Sequence, residues 1–275
     1  SWYDVIQSAL KVILNASYGV FGAETFDLYC PPVAEATAAV GRHSITMIMN
    51  KARELGIEVI YGDTDSVFLK NPAEQQMSEL ARWSEAELKM GLDVDKTYRY
   101  SVFSSRKKNY LGIFPDGSVD VKGLTGKKKH IPKIIKDAFD QMKERLGRVK
   151  SPAEFEAAKK DIKEIVVDCY QRLKRREWKS LDELAFHVVM GEHVKAYTKT
   201  TPQHVKAAMI LEKNGRELKA GDLISFVKVV KEPHVKPVEL ASNSEIDVDK
   251  YVGYLHSTFD QVLDALGLEF DEIIG

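Results

Sequence analysis

The sequence predicts an α+β fold: antiparallel strands packed with helices in a first part, then a mainly helical second part. Three observations predict it. Apolar residues recur at helical spacing over long stretches, as at residues 2–18, 33–55 and 132–146. Two short apolar runs, Val59–Tyr61 and Val67–Leu69, flank Gly62-Asp63-Thr64-Asp65-Ser66 and read as a β-hairpin by their turn chemistry. Near residue 105 the pattern shifts from mixed α/β to mainly helical, and the charge shifts with it.

Taken in order, residues 2–18 form the first expected helix. Val5, Ile6, Ala9, Val12, Ile13 and Ala16 line one face, and Asp4, Gln7, Ser8, Lys11, Asn15 and Tyr18 the other. Gly19 and Gly22 are expected to end it. A second helix runs from about Val33 to Leu55 on a stripe of Ala34, Ala38, Gly41, Ile45, Ile48, Ala52 and Leu55, and Gly56 stops it. After the hairpin, Asn71-Pro72 predicts a helix start, with Asn as cap and Pro in the first position. Residues 92–122 read as several strands around a Pro115-Asp116-Gly117 turn. A helix follows from Pro132 to Leu146, and Ser151-Pro152-Ala153-Glu154 opens another with a capping box. Thr201-Pro202 begins a shorter helix, Leu223–Val230 reads as a strand, and a last helix spans about Val248 to Leu266.

The composition, 44% hydrophobic and 29% charged, is that of a globular chain. No apolar run approaches the roughly 18 residues of a membrane span, no N-terminal series resembles a secretory signal, and a cytoplasmic setting without membrane contact is expected. Cys30 and Cys169 have no CxxC partner, so neither a disulfide framework nor a zinc site is implied. The chain begins at Ser1 with residues that already read as helix, which suggests a piece of something longer. The net charge of −1 hides a segregation: residues 96–180 hold 23 Lys and Arg against 11 Asp and Glu. A concentrated positive field suits an anionic partner, although long helices also carry charged solvent faces.

Three clusters carry chemistry. In Tyr61-Gly62-Asp63-Thr64-Asp65-Ser66, two carboxylates lie two residues apart on a tight turn, where they repel unless a cation or strong donors are near. Such a pair suits Mg²⁺, whose hard shell takes carboxylates, water and phosphate oxygens; an ordinary hairpin turn also uses Asp and Ser. Lys11, Asn15 and Tyr18 share one helical stripe, where a lysine can neutralise a triphosphate and a ring can pack on a base or sugar. Arg106-Lys107-Lys108-Asn109-Tyr110 is a basic cluster ending in an aromatic residue at a strand start, able to reach phosphates or minor-groove acceptors.

Order and spacing bring these clusters together. Lys11-Val12-Ile13-Leu14-Asn15-Ala16-Ser17-Tyr18-Gly19 resembles the K-x-x-x-N-S-x-Y-G motif of family B DNA polymerases. Tyr61–Ser66 matches their Y-G-D-T-D-S motif at every position, and Lys107-Lys108-Asn109-Tyr110 resembles K-K-x-Y. Lys122-Gly123 and the basic run through Lys128 and Lys129 resemble the strand and basic stretch that follow. Tyr197, Pro202, His204 and Val205 are similar to the Y-K-x-x-x-P-H-V segment of the thumb, with Gln203 inserted and the lysine displaced to Lys199. The resemblance covers nearly the whole chain and is strongest to archaeal replicative members.

The resemblance implies a domain plan and roles. Residues 1–19 would be the second fingers helix, 20–105 the C-terminal part of the palm with its metal-binding hairpin, and 106–275 the duplex-binding thumb. Asp65 would be the principal metal ligand and Asp63 a second, with Asp93 and Asp95 as additional acidic residues near the metals. Lys11, Asn15 and Tyr18 would bind the incoming nucleotide. Lys107, Lys108, Tyr110, Lys122, Lys128, Lys129 and His204 would contact primer or duplex. The implied reaction is in-line attack of the primer 3′-hydroxyl on the α-phosphate of a dNTP at a two-metal Mg²⁺ site.

Three departures qualify this. Ala16 stands where Ser is commonest, and Asn109 replaces the usual basic third residue of K-K-x-Y. The third is an absence: the family's D-x-x-S-L-Y-P motif, which supplies the other essential Asp, does not occur in these 275 residues. The first fingers helix and the exonuclease domain would also precede Ser1. The chain alone is therefore expected to be inactive and to need an N-terminal polypeptide carrying the missing carboxylate. A sliding clamp would have to bind through a segment outside this chain. A palm-like cyclase or reverse transcriptase, or a DNA-binding subunit without chemistry, are the competing readings.

Overall fold

A computed structural model of the chain describes residues 2–123, 131–197 and 201–275. It folds as two compact units, residues 1–95 and 96–275, and every strand pairing in it is antiparallel.

The first unit opens with α1 (Trp2–Gly22) and α2 (Pro31–Glu54). Helix α1 continues through Gly19, where a stop was expected; a glycine inside a helix weakens it by only about 1 kcal/mol. The chain reverses at residues 23–30, closed by the Cys30 amide donating to Phe21 O at 2.9 Å. Pro31 and Pro32 start α2 because a first turn leaves amide positions without intrahelical partners. Of the expected α2 stripe, Ile48 and Ala52 are buried; with Ile57 and Leu80, Ala52 forms a small core. No residue of α1 is buried, and Val5, Val12 and Ile13 remain 61%, 66% and 64% exposed.

Strands β1 (Glu58–Asp63) and β2 (Ser66–Lys70) form the expected hairpin. Tyr61 and Phe68 face each other edge-on at 5.7 Å, Lys70 and Glu58 pair at 2.9 Å, and a bulge falls between Val59 and Tyr61. Helix α3 (Glu74–Trp83) begins later than the Asn71-Pro72 reading placed it. Asn71 takes a left-handed φ of 45° as a turn residue. Gln76 then does the capping: its Oε1 accepts the Ala73 amide and its Nε2 donates to Leu55 O, both at 2.8 Å. A π-helical turn, Ser84–Leu88, extends the end of α3.

The second unit starts with a meander, β3 (Tyr100–Phe103), β4 (Tyr110–Ile113) and β5 (Val119–Lys122), in the order β3-β4-β5. Tyr100 OH donates to Leu146 O at 2.6 Å and Arg99 Nη2 to Gly147 O at 2.7 Å, tying this sheet to the end of α4 (Lys133–Gly147). Gly147 passes so close to the β4–β5 turn that a Cβ on it would lie 2.3 Å from Gly117 O. Helix α5 (Pro152–Arg175) is capped where the sequence placed its box: Ser151 Oγ accepts the Glu154 amide. The Glu154 carboxylate reaches one residue further back, to the Lys150 amide at 2.7 Å.

Next come β6 (Phe186–Val189), α6 (Gln203–Lys213), β7 (Leu223–Lys228) and β8 (Val235–Pro237), the strands forming a sheet in that order. Helix α7 (Val248–Ala265) follows, and a short α8 (Phe270–Ile274) that periodicity did not reveal. The core of this unit joins Ile135, Phe139 and Met142 of α4 to Ile162, Val166 and Leu173 of α5 and to Leu255, Phe259 and Val262 of α7, all nearly or fully buried. Phe139 and Phe259 meet edge to face at 5.9 Å.

Candidate functional site

In the first unit, Asp63 closes the β1–β2 register opposite Ser66, leaving Thr64 and Asp65 as a two-residue turn. Asp65 is exposed and Asp63 half-buried. Thr64 Oγ1 donates to Asp63 Oδ1 at 3.0 Å, and Ser66 Oγ donates to the Asp63 carbonyl at 3.3 Å. Gly62 is required by packing: Met49 of α2 lies across it, its Sδ 2.9 Å from where a Cβ would stand. The hairpin thus sets two carboxylates on a turn whose base is pressed against α2.

Two oxygen donors of this kind fit a hard divalent cation that completes its shell with water and phosphate. Among the described residues no group of three His, Cys, Asp or Glu converges. Asp93 and Asp95 are exposed in an irregular segment, and the structure does not gather them with Asp63 and Asp65 into such a group.

Lys11, Asn15 and Tyr18 are all exposed on α1. Tyr18 borders a groove of about 590 Å³ shared with Pro32, Glu35, Ala38 and Arg42 of α2. The α1–α2 pair therefore presents one aromatic ring and one guanidinium at a shallow cleft.

In the second unit, the β3–β4 loop carries Lys107 and Lys108, both exposed, at its turn. The Ser104 amide donates to Asn109 O at 3.2 Å to close the loop, and Lys108 takes a left-handed φ of 65°. Tyr110 pairs with Lys122 across β4 and β5, so the structure brings Lys107, Lys108, Tyr110 and Lys122 to one end of one sheet. His204 is the second residue of α6, edge to face with Tyr197 at 6.0 Å. Lys128 and Lys129 lie outside the described residues.

Sequence reasoning missed the supports of this end of the sheet. Tyr98 stands edge-on to Tyr110 at 6.5 Å and donates to Asp120 Oδ2 at 2.7 Å, which also receives Lys96 Nζ at 2.6 Å. Burial, then the Asp120 hydrogen bond, pushes the Tyr98 phenol upward. Burial opposes ionisation of Asp120, but the bonds from Lys96 and Tyr98 outweigh it and hold the carboxyl below its usual range. The Asp264 carboxylate of α7 is likewise held low by hydrogen bonds from Ser104 and Ser105. Nothing local in sequence signals that last pairing, because its members stand 160 and 159 residues apart.

The family model described as DNA polymerase family B matches residues 1–266. The chain belongs to DNA polymerase family B. Among curated relatives, this family B chain is 47% identical over 271 residues to DNA polymerase 1 of Saccharolobus solfataricus, covering 98% of this chain and 31% of that one. DNA polymerase 1 of Aeropyrum pernix is 41% identical over 274 residues, covering all of this chain and 28% of its own length. The chain thus spans about a third of the curated relatives it matches. Among solved structures, the family B DNA polymerase from the hyperthermophilic archaeon Pyrobaculum calidifontis superposes with a TM-score of 0.63 at 29% identity, covering 92% of this chain and 33% of that one. Among the described residues, no helix is long and apolar enough to cross a membrane.

Proposed function

We propose that this chain supplies the nucleotide-binding helix, the metal-binding hairpin and the primer and duplex grip of a DNA-directed DNA polymerase. In this reading residues 1–19 belong to the fingers, 20–105 to the palm and 106–275 to the thumb. The observation that carries it is the hairpin: Asp63 and Asp65 stand on a two-residue turn built on Gly62 and α2, with the motif matched at every position.

Lys11 on α1 would neutralise the triphosphate of an incoming dNTP, with Asn15 beside it and Tyr18 packing against the nascent pair. Lys107, Lys108, Tyr110 and Lys122 would hold primer phosphates, and the N-terminal turn of α6 with His204 would meet the duplex. Asp65 and Asp63 would hold Mg²⁺, which when bound lowers the barrier by neutralising charge on the reacting phosphate oxygens. A two-metal site needs more carboxylate ligands than this pair. The further Asp would come from an N-terminal polypeptide, and the exposed apolar face of α1 supports a partner there.

The test is primer extension by the purified chain, by an N-terminal polypeptide carrying D-x-x-S-L-Y-P, and by their mixture with Mg²⁺ and dNTPs. Activity only in the mixture, abolished by Asp65→Ala, is expected. Robust extension by the chain alone overturns the dependence on a partner. Equal affinity for recessed and blunt duplexes across a salt series would instead favour a DNA-binding module without chemistry.

A further inference from the structure

The loop that carries Lys107 and Lys108 is fastened to a helix far along the chain. Asp264 Oδ2 on α7 accepts three hydrogen bonds from it: Ser104 Oγ at 2.7 Å, Ser105 Oγ at 2.9 Å and the Ser105 amide at 3.0 Å. Asp260, one helical turn earlier and on the same face, takes Arg106 Nη2 at 2.6 Å. The far side of the loop is fixed as well. Gly123, at φ 69°, lets the backbone of Lys108 approach until a Cβ would lie 2.3 Å from its carbonyl oxygen.

The placement of these carboxylates argues for a task outside their own helix. Both lie near the C-terminal end of α7, where the helix dipole disfavours negative charge, and the last turn holds no basic residue to offset them. Their partners are instead in the loop. Arg106 of the basic cluster is held by Asp260, and Lys107 and Lys108 are exposed at the turn that follows it.

We propose that Asp264 and Asp260 are positioning residues for the primer grip: they hold Ser104, Ser105 and Arg106 so that Lys107 and Lys108 meet the phosphate backbone together. This rests on the reading of Lys107 and Lys108 as primer contacts. It adds that the grip is set from α7, so any displacement of that helix moves both lysines.

Two measurements on the full chain test it. Amide hydrogen exchange reads the clamp without DNA: in Asp264→Ala the Ser105 amide exchanges faster, while amides of α4 and α5 keep their native protection. Fluorescence anisotropy with a recessed-3′ duplex reads the consequence. Asp264→Ala weakens binding about five- to tenfold, as expected for losing bonds to a charged acceptor. Asp264→Asn weakens it less, since an amide oxygen still accepts from Ser105. Combined with Lys107→Ala and Lys108→Ala, Asp264→Ala causes no additional loss, whereas a general structural defect would add its full effect. Asp249→Asn, at the exposed start of α7, is the control and changes neither reading. Unchanged exchange at Ser105, unchanged affinity in Asp264→Ala, or full additivity with the lysine variants overturns the proposal. If the lysine variants alone bind as tightly as the native chain, the primer-grip reading itself falls, and this inference with it.

Discussion

The ring of Tyr98 lies against Gly112, where a β-carbon would stand 2.4 Å from its Cε1. Gly112 is in the middle strand of the first meander, and the ring above it also touches Phe114 at 4.9 Å. Gly112→Ala therefore has no room unless Tyr98 moves, which breaks its hydrogen bond to Asp120 and its contact with Tyr110. A loss of about 2 kcal/mol in urea unfolding is expected, in the range of overpacked cores. Tyr98→Phe in the same assay keeps the packing and loses the hydrogen bonds of the phenol hydroxyl, the one to Asp120 among them, so it should cost about 1 kcal/mol.

Lys228 gives a prediction of opposite sign. It is only 3% exposed, with its ammonium 5.1 Å from the Phe186 ring and 5.4 Å from the Phe226 ring, and Gln203 Oε1 accepts from it. Burial, and then the nearby Lys250 and Lys206, lowers its pKa from 10.5 to about 8. Below pH 8 the folded and unfolded chains are both protonated here, so the burial penalty is constant. Between about pH 8 and 10.5 the unfolded chain holds more protons, and stability rises with pH. Lys228→Met should accordingly stabilise the protein by about 1–2 kcal/mol at pH 7, with the advantage shrinking by pH 10. Calorimetry at the two pH values reads both the gain and its loss.

Much of this architecture is legible in the sequence because local rules govern it. The hairpin at residues 58–70, the proline start of α5 and the Ser151 cap follow from short-range chemistry. The site motifs are equally local, with every member of Tyr61–Ser66 in one hairpin. What was not legible depends on distant partners. Helix α3 starts at Glu74 rather than beside Pro72 because Gln76 reaches Leu55, 21 residues back. The supports of the basic loop, Tyr98 with Asp120 and Asp260 with Arg106, are 22 and 154 residues apart. The apolar face of α1 was legible as amphipathic, yet it is exposed, and periodicity does not say which surface covers it.

Acid stability should show the Lys236–Glu245 pair. Lys236 Nζ donates to both Glu245 oxygens, at 2.7 and 2.9 Å, and Ser242 adds its amide and hydroxyl at 2.8 Å each. The Lys236 bond first, then those from Ser242, lowers the Glu245 carboxyl to about 2 from 4.5. A depressed carboxyl stabilises the fold above its unfolded pKa and loses that contribution as pH falls through the folded one. Glu245→Gln should thus melt lower than the native chain at pH 7, and the two melting curves should converge between pH 4.5 and 2. A gap that persists unchanged at pH 2 would place the stabilisation elsewhere.

The last prediction concerns strain at the turn of the β1–β2 hairpin. Thr64 takes a φ of 42°, a left-handed conformation that a β-branched residue adopts only at a cost of about 1–3 kcal/mol. Its hydroxyl donates to Asp63 Oδ1, so the strained residue also orients one of the two carboxylates. Thr64→Gly removes both the strain and the hydrogen bond. Unfolding should show a stability gain of up to about 1 kcal/mol, limited by the greater freedom of glycine in the unfolded chain. Primer extension by the reconstituted mixture should fall at the same time, because Asp63 loses the Thr64 hydroxyl and the turn its fixed shape. Thr64→Ser separates the two effects: it keeps the hydroxyl and relieves the β-branch, and should retain more activity than the glycine variant. Equal activity in Thr64→Gly and the native chain would mean that the strain at Thr64 has no part in holding Asp63 and Asp65.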